Sequence, residues 1–87
     1  MIERRVNGNQ ISDLTKSILL RQLNVEPEKI QGDASIVSDL GADSLDLAEI
    51  ALMIKDELQY DLKENEIAQI KTVRDLVNLL EKRLSPK

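Results

Sequence analysis

The chain has no means of stapling itself. Its 87 residues contain no Cys, which rules out a disulfide, and no His, so the thiolate and imidazole ligands of a structural zinc site are missing too. A domain this short buries only about two-thirds of the surface its unfolded chain exposes. The fold therefore rests on its apolar core alone. That core is aliphatic: Phe and Trp are absent, and Tyr60 is the one aromatic residue. Leu and Ile dominate, which favours helix over strand. A single small all-α domain is the expectation.

Apolar spacing places the helices. Residues 1–9 read as a flexible polar segment ending in the turn-like Asn7-Gly8-Asn9, with one domain over 10–85. A first helix is expected over about Ile11–Leu23, with Ile11, Leu14 and Ile18 as its apolar stripe and Thr15 and Gln22 beside it. Pro27, Gly32 and Gly41 punctuate the next stretch, which reads as a long loop. Val25, Ile30, Ile36, Val37 and Leu40 are the residues expected to pin it to the core. A second helix starts at an Asp43 N-cap and reaches about Leu58. A short helix follows over about Glu64–Ile70. The last helix opens with the capping pattern Thr72-x-x-Asp75, buries Val73, Leu76, Val77, Leu80 and Leu84, and stops before Pro86. The architecture is thus a bundle of three main helices and one short one, with a long loop between the first two.

The second helix has two apolar faces. At about 100° per residue, Leu47, Ile50, Ala51, Ile54 and Leu58 fall on one side, as a bundle core requires. Leu45, Ala48 and Leu52 fall on the opposite side, flanked by Glu49 and Asp56 and preceded by Asp43 and Asp46. Either the long loop and the short helix cover this second stripe, or it is a recognition surface with an apolar centre and an acidic rim. The carboxylates favour recognition, because a buried carboxylate without a partner costs several kcal/mol.

Charge is unevenly spread. The net charge is −4, but residues 33–66 hold ten acids against two bases, while the remainder holds six acids against ten bases. An acidic middle argues against nucleic acid, which calls for a basic face. It points to basic protein partners drawn in electrostatically. No run approaches the roughly 20 apolar residues of a membrane span. The start has two arginines but no apolar stretch behind them, unlike a secretory signal, so a cytoplasmic location is expected.

Ser44, between Asp43 and Leu45, is the residue of chemical interest. A serine hydroxyl is a weak nucleophile unless a base activates it, and the chain has no His. Lys55 and Lys63 are isolated, and nothing in the pattern builds a pocket that would tune Asp43 or Asp46 as a catalytic acid or base. Catalysis is not expected. Two passive roles remain open on spacing alone: Ser44 helps to close the helix start, or it presents its hydroxyl at the loop–helix corner for modification. A phosphate there would sit at the positive end of the helix.

The stretch Leu40-Gly41-Ala42-Asp43-Ser44-Leu45-Asp46-Leu47-Ala48-Glu49-Ile50 resembles the attachment motif of acyl carrier proteins, whose core reads Asp-Ser-Leu. The likeness extends over about residues 11–84. It implies a four-helix acyl-carrier fold, acting as a monomer, with 4′-phosphopantetheine carried on Ser44. A separate holo-acyl-carrier-protein synthase would supply that arm from coenzyme A. Acyl groups would ride on it as thioesters, delivered to acyl transferases, ketosynthases and other acyl-processing enzymes with basic docking patches, in fatty-acid, polyketide or related lipid synthesis. Asp43, Leu45, Asp46, Ala48, Glu49, Leu52, Asp56 and Glu57 align with the positions such partners contact. The core stripe and the long loop would enclose a cleft for the acyl chain. Lys55, Leu58, Gln59 and Lys63 depart from the usual family residues, which leaves open both the general fatty-acid carrier and a carrier dedicated to a special acyl, polyketide or lipid pathway. The alternatives are an unmodified helical interaction module and a D-alanyl carrier.

Overall fold

The computed structural model describes residues 8–84. Its four helices are α1 (Gly8–Leu23), α2 (Ser44–Leu58), α3 (Glu64–Gln69) and α4 (Val73–Leu84). There is no strand among the described residues; a single antiparallel bridge pairs Ser35 with Thr72.

Helix α1 packs against both α2 and α4. Its buried stripe is Ile11, Thr15, Ile18 and Leu19, with Leu14 half-buried. Buried Thr15 donates its hydroxyl proton to the Ile11 carbonyl, 2.7 Å away, so the core keeps no unpaired hydroxyl. The helix begins at Gly8, earlier than the turn-like sequence implied. Gly and Asn favour turns, but both are also accepted at helix N-termini, so composition did not separate the two. Residues 1–7 and Pro86 lie outside the described residues.

The long loop from 24 to 43 is ordered by contacts at both its ends and along its length. One 3-10 turn, Pro27–Lys29, interrupts it. Ile30, Ala34, Ile36, Leu40 and Ala42 point into the core. Backbone bonds stitch it to the segment entering α4: Ile36 N–H to the Lys71 carbonyl (2.9 Å), Val73 N–H to Ala34 (3.1 Å) and Arg74 N–H to Gly32 (2.8 Å). Val37 does not pin the loop as expected, since it is 53% exposed. Residues 36–40 form a tight turn, in which Ile36 takes the inward direction and its neighbour faces water.

Helix α4 opens as its capping pattern predicts. Asp75 N–H donates to Thr72 Oγ1 (3.1 Å) and Thr72 N–H donates to Asp75 Oδ2 (3.1 Å). Val73, Leu76 and Leu80 are buried, with Val77 and Leu84 packed partly against the core.

Candidate functional site

Asp43 precedes α2 in an extended conformation, the geometry of an N-cap. Its Oδ1 accepts from Asp46 N–H at 2.9 Å, and Asp46 Oδ2 accepts from Asp43 N–H at 3.1 Å. The two aspartates cap each other around Ser44, which is the first residue of the helix. Asp46 also accepts from Gln22 Nε2 at 3.1 Å, which ties the start of α2 to the end of α1. The Gln22 bond first, and the Asp43 N–H after it, hold the Asp46 carboxyl below its ordinary pKa.

The approach to Ser44 is a fixed corner. Gly41 takes φ = 78°, in the left-handed region, and its N–H reaches the Val37 carbonyl at 3.0 Å. Ala42 is buried and donates to the Ile36 carbonyl at 3.0 Å. With Ala42 turned inward, Ser44 emerges exposed, and its hydroxyl has no protein hydrogen-bond partner among the described residues.

The second apolar stripe of α2 is uncovered. Leu45 is 69% exposed and Leu52 61%, and Ala48, Glu49 and Asp56 are exposed beside them. The opposite side buries Ile50, Ile54 and Leu58. Val37, on the preceding loop, is a further exposed apolar side chain that sequence reasoning assigned to the core. The acids of this face are not equivalent. Glu57 accepts from Arg21 Nη2 at 2.8 Å, a bond that lowers its pKa, and Asp46 is engaged by Gln22. Glu49 and Asp56 have no intramolecular ion pair among the described residues.

Behind α2, Ile36, Leu47, Ile50, Leu62, Ile67, Ile70 and Leu76 converge on an apolar cleft between α2 and α3. Its free space is about 10 Å³. Leu47 and Ile50 of the core stripe and Ile36 of the long loop line this closed space, and the other four residues come from α4 and from in and around α3. Among the described residues no group of three or more acidic side chains is arranged to hold a metal ion. No helix of the described residues is long and apolar enough to cross a membrane.

Residues 13–80 match the family model described as the phosphopantetheine attachment site, a span from within α1 to within α4 that includes Ser44. The acyl carrier protein of Bdellovibrio bacteriovorus is 38% identical over 68 residues, covering 78% of this chain and 87% of that protein. This chain belongs to the acyl carrier proteins. Further acyl carrier proteins match over still more of the chain. That of Chlamydia trachomatis serovar D is 34% identical over 73 residues (84% of this chain, 95% of that protein). That of Thermosynechococcus vestitus is 32% identical over 80 residues (92% and 99%).

The prosthetic group of this family is 4′-phosphopantetheine. The start of α2 fits it by access: a free hydroxyl on a fixed corner, with exposed Gly41 on one side and exposed Leu45 on the other. It is not an anion cradle, because two carboxylates flank Ser44 and the Asp46 N–H is already taken by the Asp43 carboxylate. A phosphodiester here stays in water, where like charges are screened.

Proposed function

We propose that Ser44 is the residue that carries 4′-phosphopantetheine, and that this carrier shuttles acyl groups between acyl-processing enzymes without catalysing their chemistry. The observation that carries the reading is the Ser44 hydroxyl, exposed and without a hydrogen-bond partner among the described residues, at the first position of α2 between two mutually capped aspartates. When bound, the arm supplies a terminal thiol that holds acyl groups as thioesters, the sulfur chemistry that a chain without Cys lacks.

In the attachment step Ser44 Oγ bonds the phosphorus of the pantetheine phosphate, its proton leaves, and the nucleotide part of coenzyme A departs. With no His in the chain, the base that takes that proton belongs to the holo-acyl-carrier-protein synthase. What the carrier contributes is position: the corner at Gly41 and Ala42 and the Asp43–Asp46 cap hold Oγ where another protein's active site can reach it.

Docking falls to α2. Leu45, Ala48 and Leu52 supply an apolar centre, with Val37 nearby in sequence on the preceding loop, and Glu49 and Asp56 supply free negative charge at the rim. Asp43, Asp46 and Glu57 add charge from positions that also hold the fold together. Such a surface suits brief contacts with basic patches on acyl transferases and ketosynthases. The tethered cargo then reacts as if intramolecular. The carrier acts as a monomer in the cytoplasm and serves a dedicated pathway of lipid or polyketide synthesis, a reading supported by the departures at Lys55, Leu58, Gln59 and Lys63.

Intact-mass analysis after incubation with coenzyme A and a holo-synthase tests the reading. One phosphopantetheine is expected on the wild-type chain and none on S44A. A S44A chain that still gains the group would move the site elsewhere.

A further inference from the structure

Glu66 is the one buried carboxylate among the described residues, at 9% exposure. It lies outside the docking face. Both its oxygens accept from the Tyr60 hydroxyl, at 2.9 and 2.7 Å. Oε1 also accepts from Lys63 N–H at 3.0 Å, and Oε2 from the Arg83 guanidinium at 3.3 Å. Tyr60 and Lys63 belong to the loop before α3, and Arg83 to the last turn of α4. One side chain of α3 therefore fastens that helix to its own entry loop and to the end of α4.

The next residue, Ile67, lines the closed cleft. Ile67 in α3, Leu62 just before the helix and Ile70 just after it form one wall; Ile36, Leu47, Ile50 and Leu76 form the other. The free space of about 10 Å³ is at most room for a single water and far too little for an acyl chain. An acyl chain enters only if a wall moves. Ile36, Ile50 and Leu76 are fixed in the main core, whereas α3 is six residues long and lacks the extensive helix–helix contact that α1 makes with α2 and α4. Short, thinly packed elements open at the lowest cost, which makes α3 the wall that gives way most readily.

We propose that Glu66, gripped by Tyr60 and Arg83, is a latch on α3 that sets how readily the cleft opens and hence which acyl cargoes the carrier sequesters. The inference rests on the reading of Ser44 as the cargo-bearing residue. Arg83 is the point at which to test it, because its side chain is about half exposed and its loss leaves the core intact. In unmodified protein, R83Q speeds amide exchange of residues 66–70 about two- to fivefold, the scale of a lost surface ion pair, and leaves α1 and α2 unchanged. In protein loaded with an octanoyl chain, R83Q slows hydroxylamine cleavage of the cargo by a similar factor, because more of the chain is drawn inside. With an acetyl cargo, too short to fill the cleft, cleavage is unchanged, and R83K lies between R83Q and wild type.

Faster exchange spread over all four helices, or octanoyl cleavage equal in R83Q and wild type, would reduce the cluster to a structural contact and overturn the latch. A mass spectrum separates that failure from failure of the underlying reading: a chain that cannot be loaded at Ser44 sinks both, and a loaded chain indifferent to R83Q sinks the latch alone.

Discussion

Asp43 and Asp46 hold each other's backbone: Asp46 N–H donates to the Asp43 carboxylate at 2.9 Å, and Asp43 N–H donates to that of Asp46 at 3.1 Å. Ser44 sits inside this reciprocal clasp, so the residues that start α2 also fix the serine's direction. Truncating an N-cap to Ala costs about 0.5–2 kcal/mol. D43A should lose stability in that range, measured by urea unfolding. D43N, which keeps the acceptor oxygen, should lose less, which separates the cap from its charge.

The two faces of α2 should respond oppositely to truncation. Ile54 is fully buried, and I54A should cost about 2–5 kcal/mol through lost transfer energy and the cavity left behind. Leu52 is 61% exposed, and L52A should stay within about 0.5 kcal/mol of wild type. Turnover by an acyl-processing partner reverses the order: L52A should lower it at temperatures where the variant is fully folded. Equal melting losses for the two variants would mean that the outer stripe is covered after all.

What was legible in the sequence was local. The Asp43 N-cap and the Thr72–Asp75 cap act within three residues, and the stripe of Ile50, Ile54 and Leu58 repeats at helical spacing, so short windows reveal them; that Asp46 caps Asp43 in return emerged only from the structure. What was hidden depends on the fold. Ile36 and Val37 are adjacent and similar in chemistry, and only the turn decides that one is buried and the other exposed. The bonds of Glu66 to Arg83 and of Glu57 to Arg21 span 17 and 36 residues, and no local pattern signals them. Asn24 and Gln59 leave α1 and α2 in left-handed conformations; Asn is a recognised signal for such an exit and Gln is not.

Two glycines should contradict a purely steric expectation. A Cβ on Gly41 would meet nothing within 4 Å, yet φ = 78° is left-handed, so G41A should cost about 1–2 kcal/mol. A Cβ on Gly32 would lie 2.9 Å from Arg74 Nη2, but that is the free end of an exposed, flexible side chain. G32A should therefore change stability by less than about 0.5 kcal/mol. Thermal melts of the two variants, side by side, test this inverted ranking.

Acid should loosen the caps. Thr72 and Lys71 N–H groups hold the Asp75 carboxyl below its ordinary pKa, and Lys63 N–H with the Tyr60 hydroxyl does the same for Glu66. A carboxylate depressed in the folded state adds stability that is complete above its unfolded value, about 4, and is lost as pH falls through the native value. The unfolding midpoint should fall as pH drops below about 4. D75N keeps an acceptor oxygen but cannot titrate, so its deficit against wild type should shrink as the pH is lowered. A deficit independent of pH would remove Asp75 from the acid limb.

The acids of the docking face should divide into free and engaged. Glu49 has no intramolecular ion pair among the described residues, whereas Glu57 is bonded to Arg21 at 2.8 Å. Reversing a free rim charge alters long-range attraction, which salt screens over about 10 Å at 0.1 M and about 3 Å at 1 M. E49K should therefore slow phosphopantetheine transfer by a holo-synthase at low salt, with the gap to wild type closing as salt rises and with little change in melting temperature. E57K should show the same kinetic trend and a lowered melting temperature as well, because it places a second cation beside Arg21. An E49K defect of constant size from low to high salt would locate its effect in close contact and not in steering.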